Sequence, residues 1–164
     1  MSELLIINTG GTFNKRYDYI TGNLVVPKDN VAVEKLLELL NIKNIEIIGT
    51  IYKDSLEMLD SDRKEILRLI QNKNISKIII IHGTDTIDLT AKYLAEKIQT
   101  KQIVLLGAMN PISINPIDGA INFGVALSYL QISNNSEIMI AMSGLISNYK
   151  NIYKNRALGK FEII

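Results

Sequence analysis

The chain has 164 residues, 47% of them apolar and 21% charged, with a formal net charge of +1. That length suits one domain, and surface scaling gives about 8,200 Å² exposed when folded against about 26,700 Å² unfolded, enough for a core without staples. The composition excludes intrinsic disorder, the charge balance gives no footing for nucleic acid or an anionic membrane, and the absence of cysteine excludes disulfides, thiolate metal sites and cysteine nucleophiles.

The single histidine, His82, argues against His-based metal sites and Ser-His triads. No run approaches the roughly 18 apolar residues of a membrane span. The first seven residues have no basic segment, and their four-residue apolar run is too short for a secretory signal. The expectation is a soluble, cytoplasmic protein folded as one domain over residues 1–164.

In chain order, Leu4–Asn8 reads as a strand ending in the turn signal Thr9-Gly10-Gly11-Thr12. Residues 13–30 are polar and irregular, a mobile loop or hairpin. After Asn30, Val33, Leu36, Leu37 and Leu40 fall on one helical face, and Ile45–Ile51 reads as a second strand. Leu59-Asp60-Ser61-Asp62 offers helix caps, with Glu65 three residues after Asp62 as in a capping box, before a helix through about Asn72. Lys77–His82, with four consecutive isoleucines, fits a strand buried on both faces.

Asp88 is then expected to cap a helix burying Ala91, Leu94, Ala95 and Ile98. Ile103–Leu106 is a fourth strand, and Asn115-Pro116 starts a helix reaching about Leu130. Ile138–Met142 is a fifth strand, and the tail alternates weakly, as a small terminal hairpin would. Strands alternating with helices predict an α/β fold, a three-layer α/β/α sandwich around a mostly parallel sheet.

In such sheets ligands bind at the carboxyl ends of the strands. Those ends carry Thr9-Gly10-Gly11-Thr12, Asp54-Ser55, His82-Gly83-Thr84-Asp85-Thr86 and Gly107-Ala108-Met109-Asn110-Pro111. Hydroxyls beside glycines, with carboxylates, suit a small polar ligand. The plainer readings are a tight turn at residues 9–12, helix caps at Asp85 and Thr86, and a hydrogen-bonded structural role for His82. Neither dinucleotide nor P-loop glycine spacing is present. A hydroxyl near an Asp and a Lys forms a possible nucleophile–base arrangement without histidine.

Asn8-Thr9-Gly10-Gly11-Thr12 and His82-Gly83-Thr84-Asp85-Thr86 together resemble the bacterial L-asparaginase (asparaginase/glutaminase) family. Leu106-Gly107-Ala108-Met109-Asn110-Pro111 is similar to its Gly-Ala-Met-Arg-Pro segment, and Asp118-Gly119-Ala120-Ile121-Asn122 to the Asp-Gly-x-x-Asn that follows. The resemblance covers essentially the whole chain and corresponds to the family's N-terminal domain alone. It implies Thr12 as nucleophile, a loop tyrosine as its activator (Tyr19 preferred over Tyr17), and Thr84 with Asp85 as second threonine and neighbouring acid.

By the same resemblance Ser55 binds the substrate's α-carboxylate and Asp85 its α-amino group. Gly11, Asp54, Gly83 and Ala108 complete the binding set, and Lys154 is the lysine on the second threonine, with Lys150 and Lys160 as competitors. The implied reaction is hydrolysis of L-asparagine or a related small amide, with no metal or organic cofactor. The family's C-terminal domain, which completes the site from a neighbouring subunit, is absent from this sequence, Leu56 replaces a polar residue and Asn110 an arginine. Three readings follow: a minimal amidohydrolase acting as a homo-oligomer, a binding module without turnover, and one subunit of a hetero-oligomeric amidotransferase.

Overall fold

The computed structural model describes residues 3–164. Met1 and Ser2, part of the segment read above for a leader, lie outside the described residues. In chain order the elements are β1 (Leu4–Gly10), the short helix α1 (Gly11–Asn14), β2 (Arg16–Asp18), β3 (Asn23–Val25), α2 (Val31–Leu37), β4 (Ile45–Lys53) and α3 (Asp60–Gln71). There follow β5 (Lys77–Ile81), α4 (Ile87–Ala95), β6 (Gln102–Leu106), α5 (Pro116–Ile132), β7 (Ile138–Met142), β8 (Leu145–Asn148), β9 (Ile152–Asn155) and β10 (Lys160–Ile163).

The main sheet runs β4-β1-β5-β6-β7-β8, parallel except for the last pairing. Strand alternation divides the core in two. Leu5, Ile7, Ile78, Ile80, Ile103 and Leu105 point to the face covered by Ile66 and Ile70 of α3 and by Ala91 and Leu94 of α4. Leu4, Ile6, Ile79, Ile81, Val104 and Leu106 point to the opposite face, under Val33 and Leu36 of α2 and Phe123 and Ala126 of α5. Both faces of the sheet are therefore apolar, which is why the isoleucine strands show no polar alternation.

Several local readings need correction. Leu59, not Asp62, precedes the first residue of α3; Asp62 is its third residue, and its carboxylate accepts the Leu59 amide at 2.8 Å while Glu65 pairs with Arg68. Asp88 lies inside the first turn of α4, whose N-cap is Thr86, because the backbone turns helical at Ile87, one residue before that carboxylate. Helix α4 ends at Ala95 and α2 at Leu37, leaving Ile98 and Leu40 in the turns beyond. Asn115, in contrast, caps α5 by accepting the Ile117 amide at 3.2 Å, with Pro116 in the first turn.

Within residues 13–30, after the end of α1, β2 and β3 form a hairpin tied at its base. The Asn8 amide donates to Asn14 Oδ1, the Asp29 carbonyl and Asn30 Oδ1, and Asn14 donates to the Pro27 and Asp29 carbonyls. A second hairpin, from β7 to β8, turns at Ser143-Gly144, both with positive φ, which adds an antiparallel edge strand that was not expected. Opposite β1, the edge strand β4 bulges: Asn8 pairs with Gly49 but Gly10 with Lys53, and Ile51 and Tyr52 take left-handed backbone between them. That bulge brings Asp54 and Ser55 over the ends of β1 and β5.

Candidate active site

The sheet order places β1 with β4 on one side and β5, β6 and β7 on the other, so the chain's direction of progress reverses between β1 and β5. Loops leaving the carboxyl ends of those two strands diverge and open a crevice there. Thr12 follows β1 and Thr84 follows β5, one on each wall.

Glycines let the walls approach. A Cβ on Gly11, whose φ is +71°, would lie 2.5 Å from Gly83 Cα, and a Cβ on Gly83 would lie 2.5 Å from Ser55 Cβ. Any side chain at either glycine would push the segments apart, so the plain tight-turn reading of residues 9–12 is incomplete. Thr9 has a structural task, its buried hydroxyl donating to the Ile81 carbonyl at 2.7 Å. Thr12 lies at the crevice, half-buried, with no hydrogen-bond partner for its hydroxyl among the described residues.

On the other wall, Lys154 Nζ donates to Thr84 Oγ1 at 2.8 Å and to Asp85 Oδ1 at 2.9 Å. The terminal hairpin brings it there: Lys154 pairs with Phe161, and Ile152 and Phe161 are both buried in the core on the α3–α4 side. Lys150 instead sits 5.7 Å from the Tyr149 ring centroid, and Lys160 is exposed. The Lys154 hydrogen bond, aided by the Arg156 guanidinium, holds the Asp85 carboxyl below the usual carboxylate range despite partial burial.

Ser55 is 1% exposed, accepts the Asp85 amide at 3.1 Å on its hydroxyl and the Thr86 hydroxyl at 2.8 Å on its carbonyl. Thr86 therefore braces Ser55 instead of capping α4 with its side chain. Among the described residues the Ser55 hydroxyl accepts the one bond from the Asp85 amide and donates none. Asp54 accepts Lys15 Nζ at 2.8 Å and the Leu56 amide at 3.1 Å. Burial pushes its carboxyl up, but those two bonds and the Lys15 charge outweigh it and the net shift is downward.

The floor is built by the Asp118–Asn122 motif. Asp118 accepts the Met109 amide at 2.6 Å and the Asn110 amide at 3.2 Å, while Asn122 donates to the Gly107 carbonyl and accepts the Gly144 amide. Ala108 is held fully buried between them. His82 is structural and buried. Its Nδ1 lies 2.7 Å from the Gly83 carbonyl, which requires a proton there; Nε2 then accepts from Thr90, whose hydroxyl accepts Arg63 Nε. Burial, with the nearby Arg63 charge, pushes the imidazole pKa down to about 4.

Tyr19 is not brought to the other predicted residues. It sits between β2 and β3, 92% exposed, edge-on to Tyr17 with ring centroids 5.3 Å apart. Two cations escaped the sequence reading. Arg156 contacts the Asp85 carboxylate and also donates to the Asp85 carbonyl at 3.2 Å, and Lys15 pairs with Asp54. Arg156 is the first residue of the turn after β9, two positions beyond Lys154, and that proximity was the available signal for the first. Among the described residues, no cluster of three His, Asp or Glu side chains is placed to hold a metal, and no helix is long and apolar enough to cross a membrane.

Residues 3–160 match the family model described as "Asparaginase, N-terminal". The chain belongs to the asparaginase family. A glutaminase-asparaginase of Acinetobacter glutaminasificans is 27% identical over 93% of this chain and 50% of its own length. A glutamyl-tRNA(Gln) amidotransferase subunit of Pyrococcus furiosus is 29% identical over 90% of this chain and 35% of its own. The thermostable L-asparaginase from Thermococcus kodakarensis superposes with a TM-score of 0.84 at 25% identity, covering 98% of this chain and 51% of that one. This asparaginase-family chain thus spans half or less of the length of the curated relatives it matches.

Proposed function

We propose that the chain hydrolyses the side-chain amide of L-asparagine or a related small amide, giving the carboxylate and ammonia. The observation that carries this reading is Lys154 Nζ, bonded to both Thr84 and Asp85, beside the β1–α1 segment that carries Thr12, whose neighbour Gly11 packs directly on Gly83. Thr12 attacks the amide carbonyl, the C–N bond breaks as the nitrogen takes a proton and leaves as ammonia, and water then cleaves the acyl-enzyme. Thr84, Lys154 and Asp85 form the relay that moves protons to the leaving nitrogen and from the water. Backbone N–H groups at Gly11 and Thr84 stabilise the oxyanion, and the Ser55 hydroxyl donates to the substrate's carboxylate. Tyr19 reaches Thr12 only if the β2–β3 hairpin folds inward.

The test is ammonia release from L-asparagine, L-glutamine and related monoamides by the purified chain, with Thr12→Ala and Lys154→Met in parallel. The expected result is release that falls by about 10²-fold or more in both variants. Undiminished release in Thr12→Ala, or none from any amide, overturns the assignment. Similarity to part of a tRNA-dependent amidotransferase favours a second reading, an ammonia-releasing component of a larger amidotransferase. Activity of the chain alone would remove the need for that partner. Self-association belongs to the first reading, with α5 as its surface.

A further inference from the structure

Both carboxylates in the crevice wall are already paired. Asp54 holds Lys15 at 2.8 Å, with exposures of 31% and 23%. Asp85 holds Lys154 at 2.9 Å and Arg156 on the same oxygen, and Arg156 adds a second bond to the Asp85 carbonyl. Three cations therefore face two anions. The remaining Asp85 oxygen can accept a hydrogen bond, but two positive charges already offset the field an ammonium would need. Asp88 also borders the adjoining cavity of about 160 Å³, together with Ile87, Tyr153 and Phe161, but it stands exposed on the first turn of α4, where solvent screens it. The remaining side-chain polar groups of the crevice, the Thr12, Ser55 and Thr84 hydroxyls, are neutral, and those of Ser55 and Thr84 already accept the Asp85 amide and Lys154 Nζ.

Resting on the amidohydrolase reading and narrowing it, we infer that the favoured substrate is the monoamide of a dicarboxylic acid without a free α-ammonium group, with Arg156 as the residue that sets this preference. The substrate's carboxylate meets Ser55 and the excess positive charge, and its amide meets Thr12. An α-ammonium would have to displace Arg156, itself 63% exposed, from the largely buried Asp85 carboxylate or lie beside it and Lys154, which is 15% exposed, and like charges in contact there oppose binding. The overall reaction is the monoamide plus water giving the dicarboxylate and ammonia.

The decisive comparison is succinamate against L-asparagine, which differ only in the α-amine, with wild type, Arg156→Gln and Arg156→Lys. Wild type is expected to show the higher kcat/KM for succinamate, Arg156→Gln to shift the ratio toward asparagine by about fivefold or more, and Arg156→Lys to shift it less. A wild-type preference for asparagine that Arg156→Gln leaves unchanged overturns the inference. Should neither these nor the other amides release ammonia, the amidohydrolase reading fails, and calorimetry with the products decides the ligand preference separately. Succinate binding more tightly than L-aspartate, with the difference narrowed in Arg156→Gln, sustains it. Equal affinities, or binding of neither, overturn it.

Discussion

His82 is fully buried, so protonating it in the folded chain places a cation beside Met58, Thr90 and the Arg63 guanidinium. Its folded pKa of about 4 lies below the ordinary 6.5, so as pH falls the unfolded chain takes up the proton first. Stability is full above pH 6.5 and declines by roughly 3 kcal/mol down to about pH 4, below which both states carry the proton. Asp54, Asp62 and Asp85, whose pKa values are lowered from 3.8, lose their contributions only below that window. Glu65 and Glu162, lowered from 4.5 but exposed, lose small contributions only at the acid end of the window, so its upper part belongs to the single histidine. Urea unfolding at pH 7 and pH 4.5 should give a lower midpoint at the acid value for wild type and a much smaller difference for His82→Gln. A wild-type midpoint indifferent to pH, or a variant that keeps the full difference, would sink this account. The sequence placed His82 correctly as structural, since one imidazole on an apolar strand has no second ligand to share. Its Thr90 and Arg63 partners lie on two different helices and had no local signature.

The terminal hairpin is the element on which the site depends most for its size. It reaches Thr84 and Asp85 because Ile152 and Phe161 sink into the core while Lys154, paired with Phe161 across the strands, is carried to the crevice. Removing the ring in Phe161→Ala should cost about 3–5 kcal/mol of stability and, by freeing the hairpin, lower ammonia release even at temperatures where the chain stays folded. Phe161→Leu should recover most of both, as measured by thermal unfolding and turnover on the same preparation. Stability lost without any change in turnover would mean that Lys154 holds its position without the hairpin's anchor. The sequence showed this element only as weak alternation, and spacing alone left three lysines in contention for one position. The isoleucine strands were legible because burial on both faces leaves an unbroken apolar run. The β4 bulge and the β7–β8 turn were not, because Ile51 and Tyr52 are residue types that ordinarily avoid left-handed backbone, and the residues after Met142 show only weak alternation, with no strand pattern to set off a turn at Ser143-Gly144.

At the scale of the molecule, the parallel core explains which apolar surface has no use inside the chain. Helix α5 packs Phe123, Ala126 and Leu130 against the sheet, yet Asp118 is the sole charged residue among its 17, and Ile117, Ile121 and Ile132 are exposed. Gly124 lies in the middle of that outer face with nothing within 4 Å of where a Cβ would stand. A mid-helix glycine costs up to about 1 kcal/mol relative to alanine, and within this chain nothing offsets that cost. A second copy meeting α5 across a two-fold axis would offset it, since two uncharged faces match each other without an unpaired charge and the glycines let the helices approach closely. Sedimentation of the purified chain should then show a concentration-dependent dimer that persists from low to high salt, because apolar contact is not screened. Ile121→Lys, which puts like charges against each other across the axis, should leave a folded monomer by circular dichroism. A wild-type monomer at every concentration, or a dimer untouched by that substitution, would move the interface elsewhere and leave Gly124 without a role.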